Sequence, residues 1–232
     1  MNALAEEAGV RTRSGRPVRF VPPGAAATYY EMRVFETGCI ETRPDSLHDL
    51  FNALTWLAFP ATKSRLNAMH AAEIPHESGG RGRRRDLLTL VDEGGVIVQC
   101  DDPQLIALVQ RLEWKALFFE RRARVLNGMR LSVIGHATLE QALRPWPGIA
   151  CKVIFVARDA HPDAAAAAWL DALPRDATPR AMAPLPVFGY PGWFPGNDRA
   201  EFYDDTRYFR PLRERPDKAA PVPRAPLRDG AR

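Results

Sequence analysis

"LLTLVDEGGVIVQC", residues 87–100, is the stretch on which the reading of the fold turns. Two apolar runs flank Asp92-Glu93-Gly94-Gly95, a set of turn-forming residues, so the segment reads as two short strands joined in a β-hairpin. The second run, Val96-Ile97-Val98, is β-branched throughout and suits a strand on its own account.

Beyond it, Asp102-Pro103 supplies an N-cap and a first-turn proline and predicts a helix from 103 to about 126, stopped by Asn127-Gly128. MRLSVI (129–134) and KVIFVA (152–157) read as strands. The intervening GHATLEQAL and PWPG leave room for a helical crossover, so these two strands are expected to be parallel neighbours in a βαβ unit. Pro162 opens a further helix in DAAAAAWLDAL. Residues 184–212 are rich in Pro and Gly yet hold eight aromatic side chains, which disordered segments lack; an ordered, extended wrap is expected there.

Before residue 87 the chain reads as helical. Ser46 and Asp49 form a capping box, and Leu47, Leu50, Phe51, Leu54, Leu57 and Ala58 recur at helical spacing as a core face. Pro60 ends that helix and starts a second one reaching about Ala72. HESGGRGRRR (76–85) reads as a flexible Arg-rich loop. The fold class expected is α/β or α+β: a helical N-terminal half, a small mixed sheet with one hairpin and one crossover, and an aromatic C-terminal segment. Residues 1–20 are expected to be a flexible arm, 21–212 a single globular domain, and 213–232 a disordered, basic, Pro-rich tail.

Hydrophobic residues at 46% are enough for a sizeable core in a chain of 232. The formal charge of +4 resides in the ends: residues 213–232 hold six basic and three acidic side chains, and residues 1–20 four Arg against Glu6 and Glu7. That leaves the body near −1 and ranks nucleic-acid binding last, beyond nonspecific contacts by the tails and the Arg loop. No apolar run approaches a bilayer span, and the N-terminus has no signal-like apolar region. Cys39, Cys100 and Cys151 are scattered and read as reduced thiols, so a cytoplasmic protein without membrane contact is expected.

The two helices around Phe59-Pro60 carry the chemistry. His48 and Asn52 form a stripe beside the core face of the first, with Trp56 nearly opposite that face; Lys63, Asn67 and His70 share one face of the second. His136, followed one turn later by Glu140, stands where a strand ends and a helix begins, the edge at which open sheets bind ligands. Catalytic candidates are His48, Asp49 and His136; ligand-binding candidates are Asn52, Trp56, Lys63, Asn67, His70 and Arg85. A divalent metal is one candidate cofactor, with His48, Asp49, His70 and His136 as candidate ligands, although no pair has a diagnostic spacing. Against each stands a plain structural role: a cap for Asp49, solvated faces for Lys63 and His70. Motifs of P-loop, dinucleotide-binding, α/β-hydrolase and zincin type are absent.

The stretches HDLFNALTWLAFPATKSRLNAMH (48–70), RGRRRDLLTLVDEGG (81–95), GHATLE (135–140), PLPVFGYPGW (184–193) and FYDDTRYFRP (202–211) together resemble a proteobacterial family, the domain of unknown function numbered 3025. The resemblance covers about 29–212. It implies that these segments belong to one folded unit and implies no activity. From the residues, the reading ranked first is a hydrolase-like enzyme with a His/Asp/Asn site acting on a small anionic substrate. A non-catalytic module binding a small ligand or a protein is the alternative.

Overall fold

A computed structural model describes residues 1–24, 29–76 and 82–212, so Arg81 and the tail 213–232 lie outside the described residues. The architecture is α+β. The expected hairpin is not there. Residues 87–91 belong to helix α5 (Arg83–Gly94), and only the second run is a strand, β3 (Gly95–Gln99). Leu87, Leu88 and Val91 fall on one buried helical face. The Leu-rich run preceded by Arg83-Arg84-Arg85 has helix-forming side chains, so local propensity agrees with the helix that the packing of Leu87, Leu88 and Val91 selects over the Asp-Glu-Gly-Gly punctuation. Gly95 is the switch point: a Cβ there would stand 2.4 Å from the Val91 carbonyl oxygen.

All five residues of β3 are buried, and β3 is central in a four-stranded sheet. It pairs antiparallel with β4 (Arg130–Val133), Val96 opposite Val133, and parallel with β5 (Ala150–Val156), Val96 opposite Val153. β5 pairs antiparallel with β6 (Pro184–Pro186). The strands expected to be parallel neighbours are therefore separated by β3, and the parallel crossover runs from β3 to β5. Reading the central strand as half of a hairpin hid this.

Alternating side chains feed two cores. Val96, Val98 and Val153 join Leu105, Trp114, Phe118, Leu185, Phe188, Tyr203 and Phe209 on one face. Ile97 and Ile154 meet Leu66, Leu88, Val91 and Leu170 on the other. The aromatic segment does wrap the body: the Tyr208 hydroxyl donates to the Ile149 carbonyl at 2.8 Å, and the Tyr190 hydroxyl to the Met129 carbonyl at 2.9 Å. The single long helix expected from 103 is instead α6 (Pro103–Gln110), a π-helical turn over Ala116–Glu120, and α7 (Arg122–Gly128). The break falls at Leu112, whose φ of 57° leaves the helical region and lets Trp114, Leu117 and Phe118 all turn into the core.

Residues 1–20 are folded and not a free arm. Helix α1 (Asn2–Glu7) leads to β1 (Arg19–Val21), and the Asn2 side chain bonds both the N–H and the C=O of Phe20. β1 lies parallel to β2 (Cys39–Glu41), which follows α2 (Tyr30–Thr37). Ala5, Val10, Val18, Val34 and Ile40 close a third core on Ala53 and Trp56 of α3 (Leu47–Ala58). Helix α3 is thus turned over: Leu47, Leu50 and Leu54 are 50%, 38% and 42% exposed. Its inward face is set by Trp56 and by polar groups that need partners. Among the described residues no helix is long and apolar enough to cross a membrane, and all three cysteines are free.

Candidate functional site

Helix α4 (Pro60–Glu73) is the axis of the site, packed by α2, α3, α5 and by α9 (Pro162–Asp171). Its first turn has no cap of its own, since Phe59 offers no acceptor. The buried Asp163 of α9 supplies one, taking the Ala61 and Thr62 N–H groups at 2.8 and 2.7 Å. So fixed, α4 aims Lys63, Asn67 and His70 inward, and all three are buried.

Lys63 Nζ donates to Asn52 Oδ1 at 2.8 Å and to the Asp92 carboxylate, and lies 5.9 Å from the Trp56 ring centre. Asn52 passes the chain on to the Tyr30 hydroxyl at 3.2 Å. Asn67 Nδ2 donates to the Glu31 carboxylate at 2.8 Å, and Arg85 Nε to His70 Nδ1 at 3.3 Å. Tyr30, Glu31, Asn52, Lys63, Asn67 and Asp92 are among the residues around a hole of about 10 Å³, room for one water molecule. Asn67 Oδ1, at its wall, is buried with no partner among the described residues.

A second group adjoins the first through Asp92. His136 opens α8 (His136–Gln141), and its Nδ1 lies 2.8 Å from the Asp92 carbonyl oxygen and 3.6 Å from the Asp92 carboxylate. His48 Nδ1 lies 3.0 Å from Glu140 Oε2. The two Nε2 atoms face each other at 3.0 Å. A carbonyl and a carboxylate only accept, so both Nδ1 atoms carry hydrogen. Neutral rings would then set two Nε2 lone pairs against each other, a repulsion that a proton held between them would remove. His136 is buried, whereas the His48 and Glu140 side chains are 42% and 40% exposed, so this position is reached from solvent.

Burial sets the electrostatics. It pushes the Glu31 carboxyl up to about 7, with Asp92 adding to the shift and Asn67, Lys63 and Arg85 opposing it. It pushes His136 down to about 4, against the attraction of Asp92 and with Lys63 and His48 helping. For Asp92 burial is opposed by Lys63 and His136 together, and these win: its carboxyl is held below the usual range. Tyr30 is pushed up by burial and by Glu31.

His48, His136, Asn52 and Lys63 are thus linked into one hydrogen-bonded chain through Asp92, and Asn67 and His70 share the hole beside it. Asp49 is not among them. Arg43 grips both its oxygens at 2.8 Å and holds its carboxyl near 2, and only half of the expected capping box forms: Ser46 Oγ accepts from the Asp49 N–H, while the Asp49 carboxylate turns to Arg43. Trp56 is buried in the third core and not in an open cleft. Arg85 is buried against His70, and Arg84 is tied to Glu73 and the Pro174 carbonyl, so that part of the basic run faces inward rather than toward a polyanion. Of the metal-ligand candidates, His48 and His136 meet. Among the described residues no group of three or more His, Cys, Asp or Glu side chains could hold a metal ion.

Asp92, Glu31, Tyr30 and Asp163 went unread in the sequence. A carboxylate in the last turn of α5 opposes the helix dipole, a sign that something else holds it there; but the signal exists only once residues 83–94 are read as helix. Gly135 makes the junction possible: a Cβ there would meet Gly94 Cα at 2.5 Å and the Glu93 carbonyl oxygen at 2.6 Å. Gly135→Ala is expected to part the two backbones and cost about 1–3 kcal/mol, seen as a lowered melting temperature. An unchanged melt would mean the close approach is not required.

No curated protein and no solved structure matches the chain. A family model described as "Protein of unknown function (DUF3025)" matches residues 18–213, which include every residue of the site just described, and the chain belongs to that family.

Proposed function

We propose that the His48–His136 pair is the reacting centre of a hydrolase-like enzyme acting on a small, polar ester. The observation that carries this reading is the pair of Nε2 atoms 3.0 Å apart, each ring anchored through its other nitrogen. Such a pair holds an electrophile or a proton at a fixed point beside solvent. In the step proposed, water bonds to the carbonyl carbon or phosphorus and its proton passes to an imidazole. The ester C–O or P–O bond breaks as the imidazolium returns a proton to the leaving oxygen. Glu140 orients His48, and the Asp92 carbonyl orients His136. Lys63, itself held by Asn52, keeps Asp92 in place and is committed to that carboxylate, so an anionic substrate would be met chiefly by His48.

His48→Ala and His136→Ala are each expected to cut turnover of a responsive ester at least a hundredfold. The measurement is a screen of carboxylate and phosphate esters with the wild-type chain, then kcat and KM of both variants. No turnover by the wild-type chain, or full turnover by His48→Ala, sinks the proposal. The part-exposed His48–Glu140 pair supports a second reading, a non-catalytic module that seats a small ligand there. Saturable binding of an ester that is never cleaved would favour it.

A further inference from the structure

Both hydrogens of the Asn67 amide are committed to one residue: Nδ2 donates to the Glu31 carbonyl oxygen at 2.9 Å and to Glu31 Oε2 at 2.8 Å. A backbone carbonyl only accepts, so the amide cannot be turned round, and Oδ1 must point away from Glu31. It does so in a residue only 3% exposed, and it meets no donor among the described residues. Buried acceptors are rarely left in that condition.

The groups able to meet it line the same hole. Lys63 Nζ has three hydrogens and spends two, on Asn52 Oδ1 and on the Asp92 carboxylate. The Tyr30 hydroxyl accepts from Asn52 at 3.2 Å, and its own hydrogen meets no acceptor among the described residues. About 10 Å³ admits one water and nothing larger. A cation would stand against the Lys63 ammonium, and an anion against Asp92 and Asn67 Oδ1. Water is neutral, with two lone pairs for Lys63 and Tyr30 and two hydrogens for Asn67 Oδ1 and the Glu31 carboxyl.

We infer that one water molecule bound in this hole, on Asn67 Oδ1, Lys63 Nζ and the Tyr30 hydroxyl, joins Glu31 to the Lys63–Asp92 pair and makes Glu31 a positioning residue for His136. Asp92 receives Lys63 through its carboxylate and His136 Nδ1 through its carbonyl, so the path from Glu31 to the imidazole is short. When Glu31 ionises, near pH 7, a second negative charge competes with Asp92 for the one ammonium. The charged and titratable groups facing Glu31 are Tyr30 on its own helix, Lys63 and His70 on α4, and Arg85 and Asp92 on α5. Of these, Asp92 is the one that touches His136. The bearing of Glu31 on catalysis rests on the hydrolytic reading; the bound water does not.

The test uses the full chain. Overhauser contacts from a long-lived water to the Asn67 amide and Tyr30 ring hydrogens are expected, and a crystal structure should place that water within hydrogen-bonding reach of Asn67 Oδ1 and Lys63 Nζ. Asn67→Leu, close in size, should abolish both signs. Tyr30→Phe, which deletes only the hydroxyl, should keep the water and shorten its residence about tenfold; it carries the comparison should Asn67→Leu fail to fold. The ring nitrogen signals of His136 should show a step near pH 7 that is missing in Glu31→Gln. His48 and His70 are present in both chains, so the difference belongs to Glu31.

An ordered hole without water, or a water whose residence is unchanged in Asn67→Leu or Tyr30→Phe, overturns the site. Identical His136 curves in the wild type and Glu31→Gln overturn the positioning role. Ester cleavage by a chain whose hole holds no water would overturn the inference and leave the hydrolytic reading in place. A bound water with no ester cleaved would uphold the site and sink that reading.

Discussion

Lys63→Met is expected to lower stability by roughly 3–5 kcal/mol, because it leaves the Asp92 carboxylate in a buried setting without its ammonium partner. Taking both ions out of water is expensive. Their attraction, the bond to Asn52 and the neighbouring His136 offset that cost only while all members are present. At roughly 2–4 °C per kcal/mol for a chain of this length, the melting temperature should fall by about 10 °C or more. Asp92→Asn should act in the same direction by stranding Lys63. The double variant should lose clearly less than the two single losses taken together, since it strands neither charge. A Lys63→Met melt within two degrees of wild type would show that the ion pair does not organise the interior.

The second large effect is in the dependence of stability on pH. Glu31 is held near 7, above its unfolded value of 4.5, so its stabilising contribution is complete below 4.5 and is lost as pH rises through 7. His136 is held near 4, below its unfolded 6.5, so its contribution is complete above 6.5 and is lost as pH falls through 4. Each is on the order of 3 kcal/mol at 1.36 kcal/mol per pKa unit. The slopes oppose each other in overlapping windows, so the wild-type chain should be nearly level between pH 4.5 and 6.5. Glu31→Gln removes one of the two. Its stability should then climb with pH by about 2 kcal/mol over that interval, measured by denaturant unfolding at several pH values. A Glu31→Gln profile as level as the wild type would refute the assignment.

The sequence made the helical half and the aromatic wrap legible, because capping and proline signals are local and aromatic content is compositional. Ser46, Pro60, Asp102 and Pro162 each stand where a helix begins. The centre of the sheet was not legible. Residues 92–95 satisfy the chemistry of a turn and also that of a helix end, and the tertiary contacts of Leu87, Leu88 and Val91 decided between them. Helix α3 misled for a related reason: its leucine stripe outweighs its other face in any count of apolar residues, yet His48, Asn52 and Trp56 had specific partners waiting. The histidines could be singled out by type and place. That His48 would meet His136 rather than His70 depended on how α8 crosses α3, which no local spacing encodes.

The aromatic wrap has a consequence for synthesis on the ribosome. Leu185, Phe188, Tyr203, Tyr208 and Phe209 fill the same core as Val96, Val98 and Leu105, which are made about ninety residues earlier. Until residues 184–209 emerge, one side of the nascent sheet is covered only by Leu105, Trp114, Phe118 and their neighbours and leaves apolar surface open to other nascent chains. The opposite side, closed by Leu66, Leu88 and Leu170, is complete sooner. Chaperone demand during translation should therefore fall on the first face.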